Sequence, residues 1–254
     1  MSLFDLTGKV AIVTGSSRGI GRSIAENMAA HGAKVVISSR KADACEAVVQ
    51  AIRERGGSAV AVPANISDKS ALQRLVDESR AAFGPIDVLV CNAASNPYFG
   101  PSGGMGDEVF EKIMRNNVLS NHWLCQMVYP DMAAKKDGAI IIVSSIGGLK
   151  GSTEIGAYCI SKAADMQLAR NLACEWGPQN IRVNCIAPGL IATDFARALY
   201  EDPKRRAAAE ARFPLRRLGV PDDIGGIAVM LAGRAGAFVT GQSIVADGGA
   251  TITG

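Results

Sequence analysis

Tyr158 and Lys162 stand four residues apart in the stretch AYCISKAADMQLARNLACEW, whose apolar residues recur at helical spacing. One helical turn puts both side chains on a single face. Neither suits a core, because a phenol needs a hydrogen-bond partner and an ammonium is costly to desolvate. A lysine charge beside a phenol favours the phenolate, so the pair can pass a proton to or from a reacting oxygen. Taken alone, the same spacing also describes a surface pair on an amphipathic helix. The rest of the chain decides between the two.

Short apolar, β-branched runs alternate with longer helical patterns along the 254 residues. Strands are predicted at residues 9–14, 34–38, 58–62, 86–91, 139–144, 181–186 and 242–246. Helices are predicted near 19–31, 41–55, 69–82, 107–134, 153–176 and 221–232. The strands are near-continuous hydrophobic runs, as expected of strands covered on both faces. Such a series predicts an α/β fold, a single Rossmann-like, doubly wound parallel sheet of about seven strands with helices on both faces. One domain is expected over 1–254, with an irregular insertion at 190–215 where a strand end opens onto a ligand crevice.

Composition narrows the function classes. Net charge is +3 with both signs interspersed, too mild to indicate nucleic acid or an anionic membrane as partner. Two histidines far apart, His31 and His122, argue against a histidine metal site or a Ser-His-Asp triad; no metal is expected. Six cysteines without CxxC spacing read as free, mostly buried thiols in a reducing, cytoplasmic compartment. No apolar run reaches the length that spans a bilayer.

The first strand runs into TGSSRGIG (Thr14–Gly21) and then a helix. Gly15, Gly19 and Gly21 suit a tight turn and a close backbone approach to a pyrophosphate, which the following helix N-terminus also attracts. The second strand ends in Ser39 and Arg40, without the acid that binds a ribose 2′-hydroxyl in NAD sites. Arg40 can instead fork onto a 2′-phosphate, with Arg18 of the glycine loop closing from the other side. NADP(H) is therefore expected over NAD(H).

TGSSRGIG, CNAA (91–94), NNV (116–118), VSS (143–145), YCISK (158–162) and APG (187–189) occur in this order. The set resembles the classical short-chain dehydrogenases/reductases over essentially the whole chain, and within them the NADPH-dependent carbonyl and retinal reductases. The resemblance implies a tetrad. Tyr158 is the acid/base, and Lys162 lowers its pKa and binds the nicotinamide ribose. Ser145 orients the substrate oxygen, and Asn117 holds a water in the proton relay. It also implies cofactor contacts at Gly15, Ser17, Arg18, Gly19, Ile20 and Gly21; at Ser39 and Arg40; at Asn65 and Ile66 beside the adenine; at Asn92 and Ala93; and at Pro188, Gly189, Ile191 and Thr193. Two departures stand out: Ala94 replaces a glycine, and Asn65 replaces an aspartate. With the Lys162 ammonium, the helix N-terminus and a bound nicotinamide acting together, the Tyr158 pKa is expected about 2 to 3 units below the ~10 of free tyrosine.

The implied activity is hydride transfer between NADP(H) and a carbonyl/secondary alcohol pair, in a homotetramer. An uncharged, largely apolar small molecule is the expected substrate. Pro97, Tyr98, Phe99, Leu190, Phe195, Leu199 and Tyr200 are candidate pocket walls, and Gly147, Gly148 and Gly151 are expected to leave room for a ring. Apolar residues on the two long helices, such as Ile113, Trp123, Met166 and Trp176, are expected to pack between subunits. The alternatives are a 3-oxoacyl-[acyl-carrier-protein] reductase, docking its acidic partner through Lys135 and Lys136, and a non-enzymatic NADP-sensing protein.

Overall fold

The computed structural model describes residues 2–253. Seven strands form one parallel sheet in the order β3-β2-β1-β4-β5-β6-β7. They are β1 (Val10–Thr14), β2 (Lys34–Ser38), β3 (Ser58–Ala61), β4 (Val88–Cys91), β5 (Gly138–Val143), β6 (Ile181–Pro188) and β7 (Ser243–Ala246). The helices between them are α1 (Gly19–Ala30), α2 (Ala42–Glu54), α3 (Lys69–Phe83), α4 (Asp107–Met114), α5 (Ser120–Lys135) and α6 (Gly156–Trp176). Then come α7 (Arg197–Tyr200), α8 (Pro203–Arg212) and α9 (Asp222–Ala232).

Strand residues alternate between two cores, as side chains on a pleated strand must. Ala11, Val13, Val35, Ile37 and Ile141 pack with α1, α2 and α9. Val10, Ile12, Val36, Ile140 and Ile142 pack with α3, α5 and α6. Both faces are buried, which is why the strands read as unbroken apolar runs. The strand order reverses direction between β1 and β4, and the crevice beyond their carboxyl ends is where such sheets bind ligands.

One predicted element divides. The helix expected at 107–134 is α4 and α5 joined by a π-turn, Arg115–Leu119. The wider turn loosens the local ladder, and the Asn117 carbonyl accepts from the Asn121 side-chain amide at 2.6 Å. Single π-turns inside helices recur at functional sites, and this one carries Asn117.

Candidate active site

The glycine loop between β1 and α1 is fixed from three sides. The Ser16 hydroxyl donates to the Val13 carbonyl at 2.6 Å and accepts from the Ser38 amide at 2.9 Å. The Asn92 amide donates to the Thr14 carbonyl at 2.9 Å and to that of Gly15 at 3.2 Å. The amides of Asn92 and Ala93 both donate to the Thr14 hydroxyl. A Cβ on Gly15 would stand 2.8 Å from the Asn92 amide, and one on Gly21 would stand 2.4 Å from the Gly15 carbonyl. Gly15 and Gly19 both have positive φ, a conformation that glycine adopts without steric cost. No side chain caps the α1 N-terminus. The loop is therefore a backbone cradle with open N–H groups, which fits the diphosphate of a dinucleotide. Ser16, the loop's deepest tie, was not singled out in the sequence; its buried neighbours Val13 and Ser38 mark it only once the strands are paired.

Around this cradle the other predicted cofactor residues take different positions. Ser17, Gly19 and Ile20 are partly exposed, and Arg18 and Arg40 are exposed. The Ser39 hydroxyl lies 3.1 Å from the Cys45 thiol. The Asn65 side-chain oxygen accepts from the Ser67 amide, which leaves one lone pair for an adenine amine. Ile66 packs against the α3 side of the core. Pro188 ends β6, and Gly189 follows so close to β7 that a Cβ would stand 2.7 Å from Asp247. Ile191 is buried and bridges to Gly219. Thr193 reaches over the cradle, its methyl 3.2 Å from where a Gly19 Cβ would be.

At the other side of the crevice, Tyr158 and Lys162 sit in the first turns of α6. The Lys162 ammonium lies 5.6 Å from the Tyr158 ring centre and only 2% of the residue is exposed. It donates to the Val143 carbonyl at 2.9 Å and to Asp165 Oδ2 at 3.0 Å. The Ser145 hydroxyl lies beside the phenol and accepts from the Gly147 amide at 3.0 Å. Asn117 Oδ1 accepts from the Ser95 amide, while its Nδ2 donates to the Ser95 carbonyl and to the Ser161 hydroxyl. Ser161 in turn donates to the Tyr158 carbonyl at 2.7 Å. Asn117 thus ties the π-turn to the Tyr158 turn of α6, and one lone pair of its side chain remains for a water.

The expected drop in the Tyr158 pKa is not present in the chain by itself. Burial pushes the phenol up; Lys162 and Ser145 pull it down without prevailing, and Asp165 pushes it up further. Burial is the strongest influence on the Lys162 ammonium and works against it, but the charges of Asp165 and Tyr158 and the Asp165 hydrogen bond together hold the lysine above its ordinary range. Asp165 was not singled out in the sequence, where it reads as one acidic residue on a long helix.

The insertion meets this site through Phe195, whose ring centre lies 6.2 Å from that of Tyr158 at 42°. Phe195 and Leu199 are exposed, as are Pro97 and Phe99 from the loop after β4. Tyr98 and Tyr200 are held instead by their hydroxyls, which donate to the Pro101 and Thr193 carbonyls. Leu190 faces a cavity of about 160 Å³ with Leu215, Arg217 and Asp247. Arg197 is exposed and paired with Asp194 at 2.8 Å.

Three expectations need correction. Gly147 and Gly148 do not leave room for a ring. A Cβ on Gly148 would stand 2.8 Å from the Lys162 backbone, and one on Gly147 would stand 3.1 Å from the Cys159 sulfur. Both glycines serve to seat the loop on α6; only Gly151 faces open space. Most of the apolar residues assigned to subunit packing, including Ile113, Met166 and Trp176, are buried in the chain's own core. The outward apolar residues of these helices are Phe110, Leu119 and Ile160. Lys135 is no free docking charge, because it pairs with the buried Asp87 carboxylate at 2.8 Å.

Residues 15–251 match the family model described as enoyl-(acyl carrier protein) reductase. The chain is 39% identical over 244 residues to dehydrogenase/reductase SDR family member 4 of Bos taurus, covering 96% of this chain and 88% of that protein. Among solved structures, it is similar to a 7α-hydroxysteroid dehydrogenase complexed with NADH and 7-oxo glycochenodeoxycholic acid. That match has 37% identity and a TM-score of 0.93, over 97% of this chain and 95% of the other. It is also similar to a gluconate 5-dehydrogenase from Burkholderia cenocepacia in complex with NADP and tartrate. There the identity is 31% and the TM-score 0.94, over 99% and 98% of the two chains. With the ordered motifs, the reversed strand order and the cradle already in place, these similarities identify the chain as a member of the classical short-chain dehydrogenase/reductase family, oxidoreductases acting on alcohol or carbonyl groups.

Proposed function

We propose that the protein is an NADP(H)-dependent reductase of uncharged, largely apolar carbonyl compounds. The reading rests chiefly on the Phe195 ring, which faces Tyr158 from the insertion while its neighbour Arg197 is neutralised by Asp194. An apolar wall beside the proton donor suits a ring or an alkyl chain. Tyr158 gives its proton to the carbonyl oxygen, and the Ser145 hydroxyl orients that oxygen. Lys162 holds the ribose and stabilises the phenolate left behind. Asn117 fixes the π-turn against α6 and offers one acceptor to a relay water. The bound nicotinamide supplies or takes the hydride. The exposed Arg40 and the absence of an acid at the end of β2 favour the phosphorylated cofactor. The solved 7α-hydroxysteroid dehydrogenase is complexed with NADH and 7-oxo glycochenodeoxycholic acid, a ring-bearing carbonyl compound that is also an acid, and it supports a pocket that admits a ring.

A homotetramer in the cytoplasm completes the reading. The exposed Phe110 and Ile160, which line one hollow between α4 and α6, and the exposed Leu119 support the assembly. Six free cysteines, five of them buried, suit a reducing compartment.

A hydroxy-acid substrate is the second reading. It is favoured by Lys150, whose charge acts on Cys159 next to Tyr158, and by the gluconate 5-dehydrogenase likeness. Catalytic efficiency is to be compared for a neutral aromatic ketone and a short 2-oxo acid, each with NADPH and NADH. The ketone with NADPH should be the best pair. Higher efficiency with the acid overturns the apolar reading, and a lower KM for NADH overturns the cofactor reading. Arg40→Asp should move the NADPH/NADH preference by about tenfold or more towards NADH.

A further inference from the structure

Asp165 stands in the wall behind Tyr158 and is completely buried. It lies one turn beyond Lys162 on α6. One carboxylate oxygen accepts from the Lys162 ammonium at 3.0 Å and the other from the Asn121 amide of α5 at 2.9 Å. Asn121 also donates to the Asn117 carbonyl of the π-turn. A chain of hydrogen bonds therefore runs from the π-turn through Asn121 and Asp165 to Lys162. An ammonium has three N–H donors. The Val143 carbonyl and Asp165 take two, so one remains for the open side of the site, where Tyr158 stands.

Stability alone is a poor account of this arrangement. A buried ion pair recovers little more than its own desolvation cost, and well-packed apolar residues commonly do as well. The pair's position relative to the phenol gives it a second consequence. A lone lysine beside Tyr158 would act on it with a full charge, and a lysine paired with Asp165 acts with much less.

We propose that Asp165 is a positioning residue for the Tyr158–Lys162 pair. Its carboxylate turns the single free N–H of Lys162 towards the phenol and the cofactor ribose. Its charge offsets that of the lysine, so Tyr158 stays protonated and ready to donate in carbonyl reduction. The proposal rests on the reading of Tyr158 as the proton donor. The other titratable groups packed here do not supply the offset. Cys91 of β4, bonded to the Cys125 thiol of α5, and Cys185 of β6, which donates to the Asp165 carbonyl, are both pushed well up and stay neutral. Cys159 of α6 is pushed up by burial, with Lys150 of the loop after β5 pulling against it.

Reduction needs the phenol, so activity falls as pH rises through the Tyr158 pKa. Asp165→Asn keeps the shape and removes the charge. Lys162, whose charge the Tyr158 phenolate and the Val143 carbonyl still support, then favours the phenolate more strongly, and the alkaline limb should move to lower pH by about one unit. Two readouts are to be taken on the NADPH-bound protein. One is the pH profile of ketone reduction. The other is tyrosinate absorbance without substrate, measured as a difference from Tyr158→Phe. Both should shift together, with the Kd for NADPH raised by only a few fold. A folded Asp165→Asn protein with neither curve displaced overturns the proposal. If that variant does not fold, the wild-type tyrosinate curve decides: a Tyr158 more than half ionised at about pH 8, two units below free tyrosine, overturns it, and one still mostly protonated there supports it. Turnover retained by Tyr158→Phe removes the proton-donor reading itself. An inactive Tyr158→Phe with an unshifted Asp165→Asn removes only the role of Asp165.

Discussion

The two walls of the crevice are built on opposite plans. On the α6 side, Tyr158, Lys162, Asp165, Ser161, Asn117 and Asn121 form a connected polar network. Lys162, Asp165, Ser161, Asn117 and Asn121 are all buried among β4–β6 and α5. On the insertion side, Asp194 pairs with Arg18 and Arg197 at the surface, and α8 buries none of its residues. Buried networks hold geometry because each lost partner leaves an unsatisfied group in a low-dielectric setting. Exposed pairs contribute little and rearrange easily. On the proposed mechanism the chemistry is carried by the rigid wall, and the shape offered to substrate by the adaptable one. Arg18 joins the glycine loop to the insertion, and its exposed pair with Asp194 is weak enough to yield to a phosphate.

The sharpest test of this contrast is Tyr158→Phe. Loss of the proton donor should lower kcat by about 10³-fold or more while the Kd for NADPH, read by fluorescence, stays near wild type. If kcat is unchanged, the rigid wall does not carry the chemistry. Ser161→Ala should come next. It removes the hydroxyl that joins Asn117 to the Tyr158 turn and leaves a buried amide donor unpaired, at about 1 to 3 kcal/mol. A Tm lowered by several degrees and a reduced kcat are expected, and an unchanged Tm would mean the network is not what fixes the wall. Phe195→Ala on the adaptable wall should raise KM for an aromatic ketone by only a few fold, at unchanged Tm, because the ring is 54% exposed.

The smallest effect is expected where the insertion rejoins α9. Arg217 binds Asp223 through both guanidinium nitrogens and holds its carboxyl down to about 2. A carboxyl depressed in the folded state adds stability that is present above its unfolded pKa near 4 and is lost as pH falls through about 2. Both side chains are largely or partly exposed, so Asp223→Asn should cost no more than about 1 kcal/mol at neutral pH, and less as the pH falls through about 2. A larger loss in denaturant titrations at pH 7 would mean that the junction is stiffer than its exposure implies.

Much of the molecule is determined by local pattern. The seven strands and the principal helices are legible because apolar runs covered on both faces, glycine turns and helical periodicity depend on near neighbours in the chain. The six ordered motifs identify the family, since each sits at a fixed place on one element. The π-turn at 115–119 carries no such mark; it forms because Asn117 and Asn121 have partners across the fold in Ser95, Ser161 and Asp165. The same holds for Gly148, whose reason is the α6 backbone, for Gly147, whose reason is the Cys159 side chain, and for Lys135, whose charge is spent on Asp87.

By itself, then, the sequence determined the series of strands and helices that implies a parallel sheet, the glycine turn after β1 and the pairing of Tyr158 with Lys162, each legible from near neighbours in the chain. Tertiary structure alone decided how that pair is charged. Asp165 shares its helix, but only burial against β5, β6 and α5 makes it the counter-ion of Lys162. Desolvation, which no spacing of residues encodes, sets the balance at the Tyr158 phenol.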